Sequence, residues 1–446
     1  MKRKSGRWHT PFLQPGSGDQ ITLSFDIIEG DGSALWYNTV HCDRDWNRSD
    51  LFTSDYMEGF EENQVTDFAP SFNTRINYIH YSLSLPNNDV RFLVSGNYVI
   101  TFWTADEPEK PVLIRRFFIS EGTSPASVTF RRPMKPGTTD THQQAEITVS
   151  TGSLPVTDPY RQVTLTIMQN GRPDRTKSGL LPDFVSAGRL EYNTLSDKTL
   201  MPGGNEFRYF DIKTIRQTRQ NVRAIDFVNG VYHAYLIPSD DREFKPYFFN
   251  EDFNGKFVVA MEESRDPDRE ADYVWVWFTM PAYQELQEAR FMSRAAFAGG
   301  NTFRQTVCPG IRPVAAMRHR FCSSRAGTIM NIHFSLQVLQ FRRDFISRSH
   351  WETENDYLVL TYFRDPTSRY DRLTGITLAN TRGAKWSSLQ SAVSSRFIAY
   401  CRLVLPTADF SHERPSRTAC RRYAPWSSLS LPYTHALPSL SPAGYR

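Results

Sequence analysis

Residues 77–103 read NYIHYSLSLPNNDVRFLVSGNYVITFW. Successive side chains of a strand point to opposite faces, and YVITFW keeps that two-residue period. PNND (86–89) between the apolar runs is a turn signature. Outward from this stretch the pattern repeats. ITLSFDII (21–28) leads through the turn EGDGS into ALWYNTVHC (34–42), and DEPEKP (106–111) separates NYVITFW from VLIRRFFIS. Short strands with a turn about every ten residues predict a β-sandwich or barrel.

Composition agrees. Of 446 residues, 13% are aromatic, with 31 Phe, 20 Tyr and 9 Trp. Such side chains pack well on a pleated surface. The length accommodates roughly two to four domains. A formal charge of +4 is too small at this length to argue for nucleic acid. No apolar run reaches the length of a membrane-spanning helix. The basic start MKRKSGRWHTPF has no apolar segment behind it and does not read as a secretory signal. The five cysteines match neither a zinc site nor a disulfide framework.

The pattern predicts an all-β chain of tandem β-sandwich, immunoglobulin-like domains. Residues 1–20 are expected to be disordered or truncated, and 21–122 to form the first sandwich. SEGTSPAS (120–127) reads as a linker. A second β-domain is expected over 128–282, where AEITVS, QVTLTIMQ and YHAYLIP alternate and DYVWVWFTM closes the unit. Residues 286–378 are expected to hold a degraded third domain. The Ser-, Arg- and Pro-rich stretch 379–446 is expected to be disordered.

Four stretches carry candidate chemistry. In HCDRDW, His41, Asp43 and Asp45 share one side of an extended strand. A metal would need three or four convergent ligands. The favoured reading puts Trp36, Val40 and Cys42 in the core and Asp43–Asp45 in a turn. RDPDREAD (265–272) lacks the glycine of a calcium loop and reads as a solvated turn. MPGGNEFRYFD (201–211) lacks the spacing and lysine of a phosphate loop and reads as a bulge or turn. In SHWETENDY (349–357), His350, Glu352, Glu354 and Asp356 read as a wet sheet face. No catalytic residue, metal ligand or cofactor is expected, and the chain is not expected to be an enzyme.

HCDRDWNRSDL, YMEGFEENQVTDF, SFNTRINYIHYSLSLPNND, GGNEFRYFDI, KPYFFNEDFNGKFV, RDPDREADYVWVWFTMP and SHWETENDYLVLTYFRDPTSRYDRLTG together resemble the plug-protein family of the type IX secretion system. The resemblance covers residues 17 to about 285 and 349 to 375. It implies a non-enzymatic periplasmic protein that caps the periplasmic side of the outer-membrane translocon barrel, which would be its partner. The alternative is a periplasmic or extracellular carbohydrate-binding or adhesion sandwich; a hydrolase with an unrecognised site stands third.

Residues 286–348 do not match the family. One shifted reading frame explains this: back-translation from Arg290 with free codon choice gives VYVSGG, SWNPASGGYEA, GYYNEYSF and FHIE in a single frame. On that reading 290–348 is out of frame and forms no native sandwich. Cys308 and Cys322 are then accidental, and YLVLTYF (357–363) loses its partners and exposes an apolar edge.

Overall fold

The computed structural model describes residues 12–14, 18–28, 30, 32–152, 154–193, 197–239, 242, 244–280, 290–294, 302–306, 317–325, 328–337, 348–383 and 397–403. YVITFW lies in β9 (Gly96–Thr104), between β10 (Leu113–Ile119) and β3 (Leu35–Cys42). β1 (Phe12–Leu13) and β5 (Glu62–Gln64) complete this sheet. The facing sheet runs β29 (Phe397–Leu403), β2 (Ile21–Ile28), β7 (Tyr78–Leu85) and β6 (Asp67–Pro70). A small ribbon, β4 (Met57–Gly59) with β8 (Val90–Phe92), closes one side. The inner faces meet in one core, where Phe25 stacks on Tyr81 and meets Phe102 edge-on at 5.0 Å. Strands β2–β10 lie within 21–122, and β1 and β29 join this sandwich from outside that range.

The second sandwich pairs β11 (Ala126–Arg131), β12 (His142–Ser150), β16 (Arg189–Tyr192), β15 (Phe184–Ser186) and β17 (Leu200–Pro202) in one sheet. The other holds β14 (Thr176–Leu180), β13 (Val163–Gln169), β27 (Asp356–Phe363) and β28 (Arg372–Asn380). A third β unit lies between the two parts of this sandwich in sequence. One of its sheets has β18 (Arg208–Asp211), β26 (Thr328–Gln337), β23 (Arg290–Arg294), β24 (Thr302–Thr306) and β21 (Phe257–Val259). The other has β19 (Val222–Val228), β20 (Val231–Leu236), β22 (Tyr273–Met280) and β25 (Met317–Arg325). Phe210, Ile212, Val222, Ala234, Val274 and Val276 form its core.

The expected boundaries 128–282 and 286–378 therefore cut across the sheets. Strands at 208–280 belong to the third unit, and β27 and β28 return to the second domain. Composition along the chain does not reveal an insertion, because both halves of a discontinuous domain look like ordinary neighbours. YLVLTYF does not lose its partners. It sits between β13 and β28 with both ladders formed, and those partners lie outside 290–348. Its run is continuous rather than alternating because it is buried on both faces. Tyr357, Val359 and Phe363 enter the second core, while Leu358, Leu360 and Tyr362 pack with Phe118 and Met168 in a separate apolar layer.

Three further expectations meet strands. Phe12–Leu13, inside the stretch expected to be disordered, runs parallel to Phe118–Ile119. Phe397–Leu403, inside the expected tail, runs parallel to β2. Averaged composition hides such short apolar pieces, which add to sheet edges because an edge offers unpaired backbone groups. Within 290–348, four pieces make ladders to β18, β21 and β22 and to each other. The sequence reading expects no native sandwich over this stretch, and these ladders are the backbone pairing found in it. A ladder uses main-chain groups that any sequence supplies. Cys322 lies in β25 opposite Trp275, and Cys308 falls outside the described residues. Among the described residues no helix is long and apolar enough to cross a membrane.

Candidate functional site

β3 delivers His41 into the core. Leu35, Tyr37, Thr39 and His41 are buried, whereas Trp36 and Val40 are only half-buried. The expected facing of this strand is thus reversed up to Cys42, which is itself buried. Histidine was read as polar and outward, but here both ring nitrogens are satisfied. Nδ1 lies 2.8 Å from the Ser49 hydroxyl and Nε2 lies 3.2 Å from the Ser95 carbonyl. The rings of Tyr56, Tyr98 and Tyr370 surround it. Burial pushes its pKa down. Gly96 is required here, since a Cβ would come within 2.3 Å of His41 Nε2. The turn at Asp43–Asp45 forms as read. Asp43 Oδ1 accepts the N–H groups of Asp45 and Asn47. His41 and the two aspartates do not converge. The Cys42 thiol is buried and pushed up to about 11.

RDPDREAD is more than a solvated turn. Its last aspartate, Asp272, is buried and accepts the N–H groups of Arg75 (2.8 Å) and Ile76 (3.1 Å) in the first domain. Beside it the Tyr273 hydroxyl donates to Asp26, whose other oxygen lies 2.7 Å from His80 Nδ1. Tyr78 donates to the carbonyls of Asp268 and Ala271. Arg269 lies over the Phe72 ring and donates to Pro70. The sequence reading missed Asp26, His80 and Tyr273: Asp26 and His80 are register partners on β2 and β7, and Tyr273 reaches them from the third unit.

The other two stretches meet each other. Gly203 brings its backbone against the carbonyl of His350, where a Cβ would sit at 1.9 Å. Gly204 accepts from His350 N–H at 2.7 Å and from the Thr353 hydroxyl. SHWETENDY is therefore no wet face: His350, Thr353, Glu354 and Asn355 are buried, and Glu352 alone is exposed among its acids. Residues 349–355 precede β27 as an irregular stretch, so strand alternation does not apply to them.

Around this contact lies a buried polar junction. Glu206 Oε1 accepts from the Tyr247 hydroxyl (2.5 Å) and the Glu354 N–H (3.0 Å). Its Oε2 has no partner among the described residues. Burial raises the Glu206 pKa, and the nearby Glu354 adds to this. Asp252 accepts the N–H groups of Asn254 and Phe207. Burial pushes it up to about 8 against those hydrogen bonds. Asn380 bridges Glu354 and Asp356. Lys256 lies 3.7 Å from Asp356, and burial lowers its pKa. Arg382 lies over the Phe249 ring at 3.5 Å. This arrangement clasps the third unit to the second domain. Its carboxylates mostly receive main-chain N–H groups, tyrosine and amide donors. Among the described residues no three His, Cys, Asp or Glu side chains are placed to hold a metal ion. Asp252 and Lys256 were missed by the sequence reading, although NEDFNGK carries a readable Asp–Asn turn signal.

The fold and these junctions define an all-β protein whose domains are joined by buried polar clasps and an apolar layer. Residues 1–121 match the family described as type 9 secretion system plug protein 1st domain, so the chain carries the first domain of that family and is tied by it to type 9 secretion. No curated protein matches the chain. It is similar to the crystal structure of a hypothetical protein from Parabacteroides merdae, with 26% identity and a TM-score of 0.78 over 84% of this chain and 95% of that one. The likeness thus extends well beyond the first domain.

Proposed function

We propose that this chain is a non-enzymatic plug subunit of the type IX secretion system that caps the periplasmic side of the outer-membrane translocon barrel. The observation that carries this reading is the plug-family first domain at residues 1–121. The way that domain is built into the rest supports it. A cap must resist deformation, and here the first domain is fastened on two sides. An apolar layer of Phe118, Met168, Leu358, Leu360 and Leu373 joins it to the second domain. Arg372 adds a two-point ion pair to Glu121, at 2.9 and 2.7 Å. Asp272, Tyr273 and Arg269 join it to the third unit. The stretches GGNEFRYFDI, KPYFFNEDFNGKFV and SHWETENDY, which carry the family resemblance, spend their polar residues on the buried junction. That use fits a scaffold rather than a reaction centre. The full-length chain, tagged and directed to the periplasm, is expected to co-purify with the barrel from detergent-solubilised outer membranes. Folded, soluble periplasmic chain that never associates with the barrel overturns the reading.

A further inference from the structure

Residues 50–62 read DLFTSDYMEGFEE and contain five acids and no lysine or arginine. This stretch of negative charge stands in a chain whose formal net charge is +4. Its two phenylalanines are turned out to water: Phe52 is 71% and Phe60 76% exposed. Neither position is loose. The one-turn helix Thr53–Tyr56 begins at Phe52, whose N–H is held by the Asp55 carboxylate at 3.1 Å. Behind it Tyr56 and Met57 are buried, the Tyr56 hydroxyl donating to the Thr39 carbonyl and the Thr39 hydroxyl to Met57 Sδ. Asn63 donates to the Phe60 carbonyl at 2.8 Å. The Thr53 hydroxyl donates to the Glu61 carboxylate, which ties the neighbours of the two rings together. Gly59 permits the closure, because a Cβ there would meet the Asp89 carbonyl at 1.8 Å.

The charges around the rings are mostly uncompensated. Arg369 pairs with Asp55 and lies 5.9 Å over the Phe52 ring, and Arg91 pairs with Glu58. Among the described residues no cation pairs with Asp50, Glu61 or Glu62. Two rigid aromatic anchors inside an acidic rim form the pattern of an interface hot spot with a charge-selective border. A second exposed pair, Phe244 and Phe248, lies among Arg242, Lys245 and Glu251 and has no single sign of charge.

We propose that the Phe52–Phe60 surface is the face that docks the translocon barrel. Its occupant is a periplasm-facing segment of the barrel that carries lysine or arginine beside apolar side chains. This rests on the plug reading above and names its contact surface. The apolar side chains cover the rings, and the cations answer Asp50, Glu61 and Glu62.

The test uses the full-length chain and detergent-solubilised barrel in a binding titration at low and high salt. Phe52→Ser with Phe60→Ser is expected to weaken binding at least tenfold while leaving the melting temperature unchanged, since both rings are exposed. Asp50→Asn, Glu61→Gln and Glu62→Gln together are expected to slow association and flatten its salt dependence. Phe244→Ser with Phe248→Ser is expected to leave binding unchanged. If the parent chain binds and the first two variants bind equally well, this surface is wrong and the plug reading stands. If only the Phe244 and Phe248 variant loses binding, the surface is likewise overturned. Self-association of the parent that disappears in the Phe52 and Phe60 variant assigns the surface to a second copy and overturns the proposal. A parent chain that never binds the barrel overturns both readings.

Discussion

Burial raises the Asp252 carboxyl to about 8 from an ordinary value of 3.8. The fold therefore holds its proton more tightly than the unfolded chain does. The stability it contributes is complete below about pH 4 and is lost as pH rises toward 8, with a slope of at most about 1.4 kcal/mol per pH unit. Asp252→Asn cannot ionise and is expected to flatten this fall. Denaturant unfolding of both proteins at about pH 5 and about pH 8 checks it; an equal difference at the two pH values refutes it. None of this was legible in the sequence. NEDFNGK announces a turn, but the burial that raises Asp252 and the nearby charges of Glu206 and Glu354 that add to it come from distant segments. The same limit explains His41. Its neighbours on the strand predicted an outward ring, while Ser49, Ser95 and three tyrosines make the inside a polar enough place for it.

Among elements, β27 has the most to lose. Its two faces serve different layers, Val359 the core of the second domain and Leu360 the layer against the first. Leu360→Ala is expected to cost about 2–4 kcal/mol and to raise amide hydrogen exchange in β10, across the layer. Val359→Ala is expected to destabilise the second domain without that effect on β10. Unchanged exchange in β10 for Leu360→Ala refutes the assignment of faces. Strands such as β9 and β12 were readable because one face is wetter than the other and the two-residue period survives. β27 was readable as a strand but not as a central one. A run buried on both sides and an orphaned apolar edge have the same letters, and only the ladder partners tell them apart.

At the scale of the whole molecule, the all-β class and the first domain were legible, and the order in which the chain visits its domains was not. Asp272 is one of the points where the third unit holds the first domain. Asp272→Ala leaves the N–H groups of Arg75 and Ile76 without their acceptor, at about 1–3 kcal/mol for each donor left unpaired. It is expected to speed exchange across residues 71–78 while leaving β9 protected; exchange confined to the third unit refutes the contact. The insertion has a consequence in time. Val163 pairs with Phe363, so β13 must wait for about two hundred further residues to be synthesised before its neighbour exists. The first domain has its matched segment, 1–121, early and waits only for β29, but the second keeps one sheet at β13 and β14 alone through the whole synthesis of the third. During that interval the apolar sides of β12 and β13 are open to any other nascent chain. The exposed edge of that two-stranded half-sheet is covered only when β27 arrives.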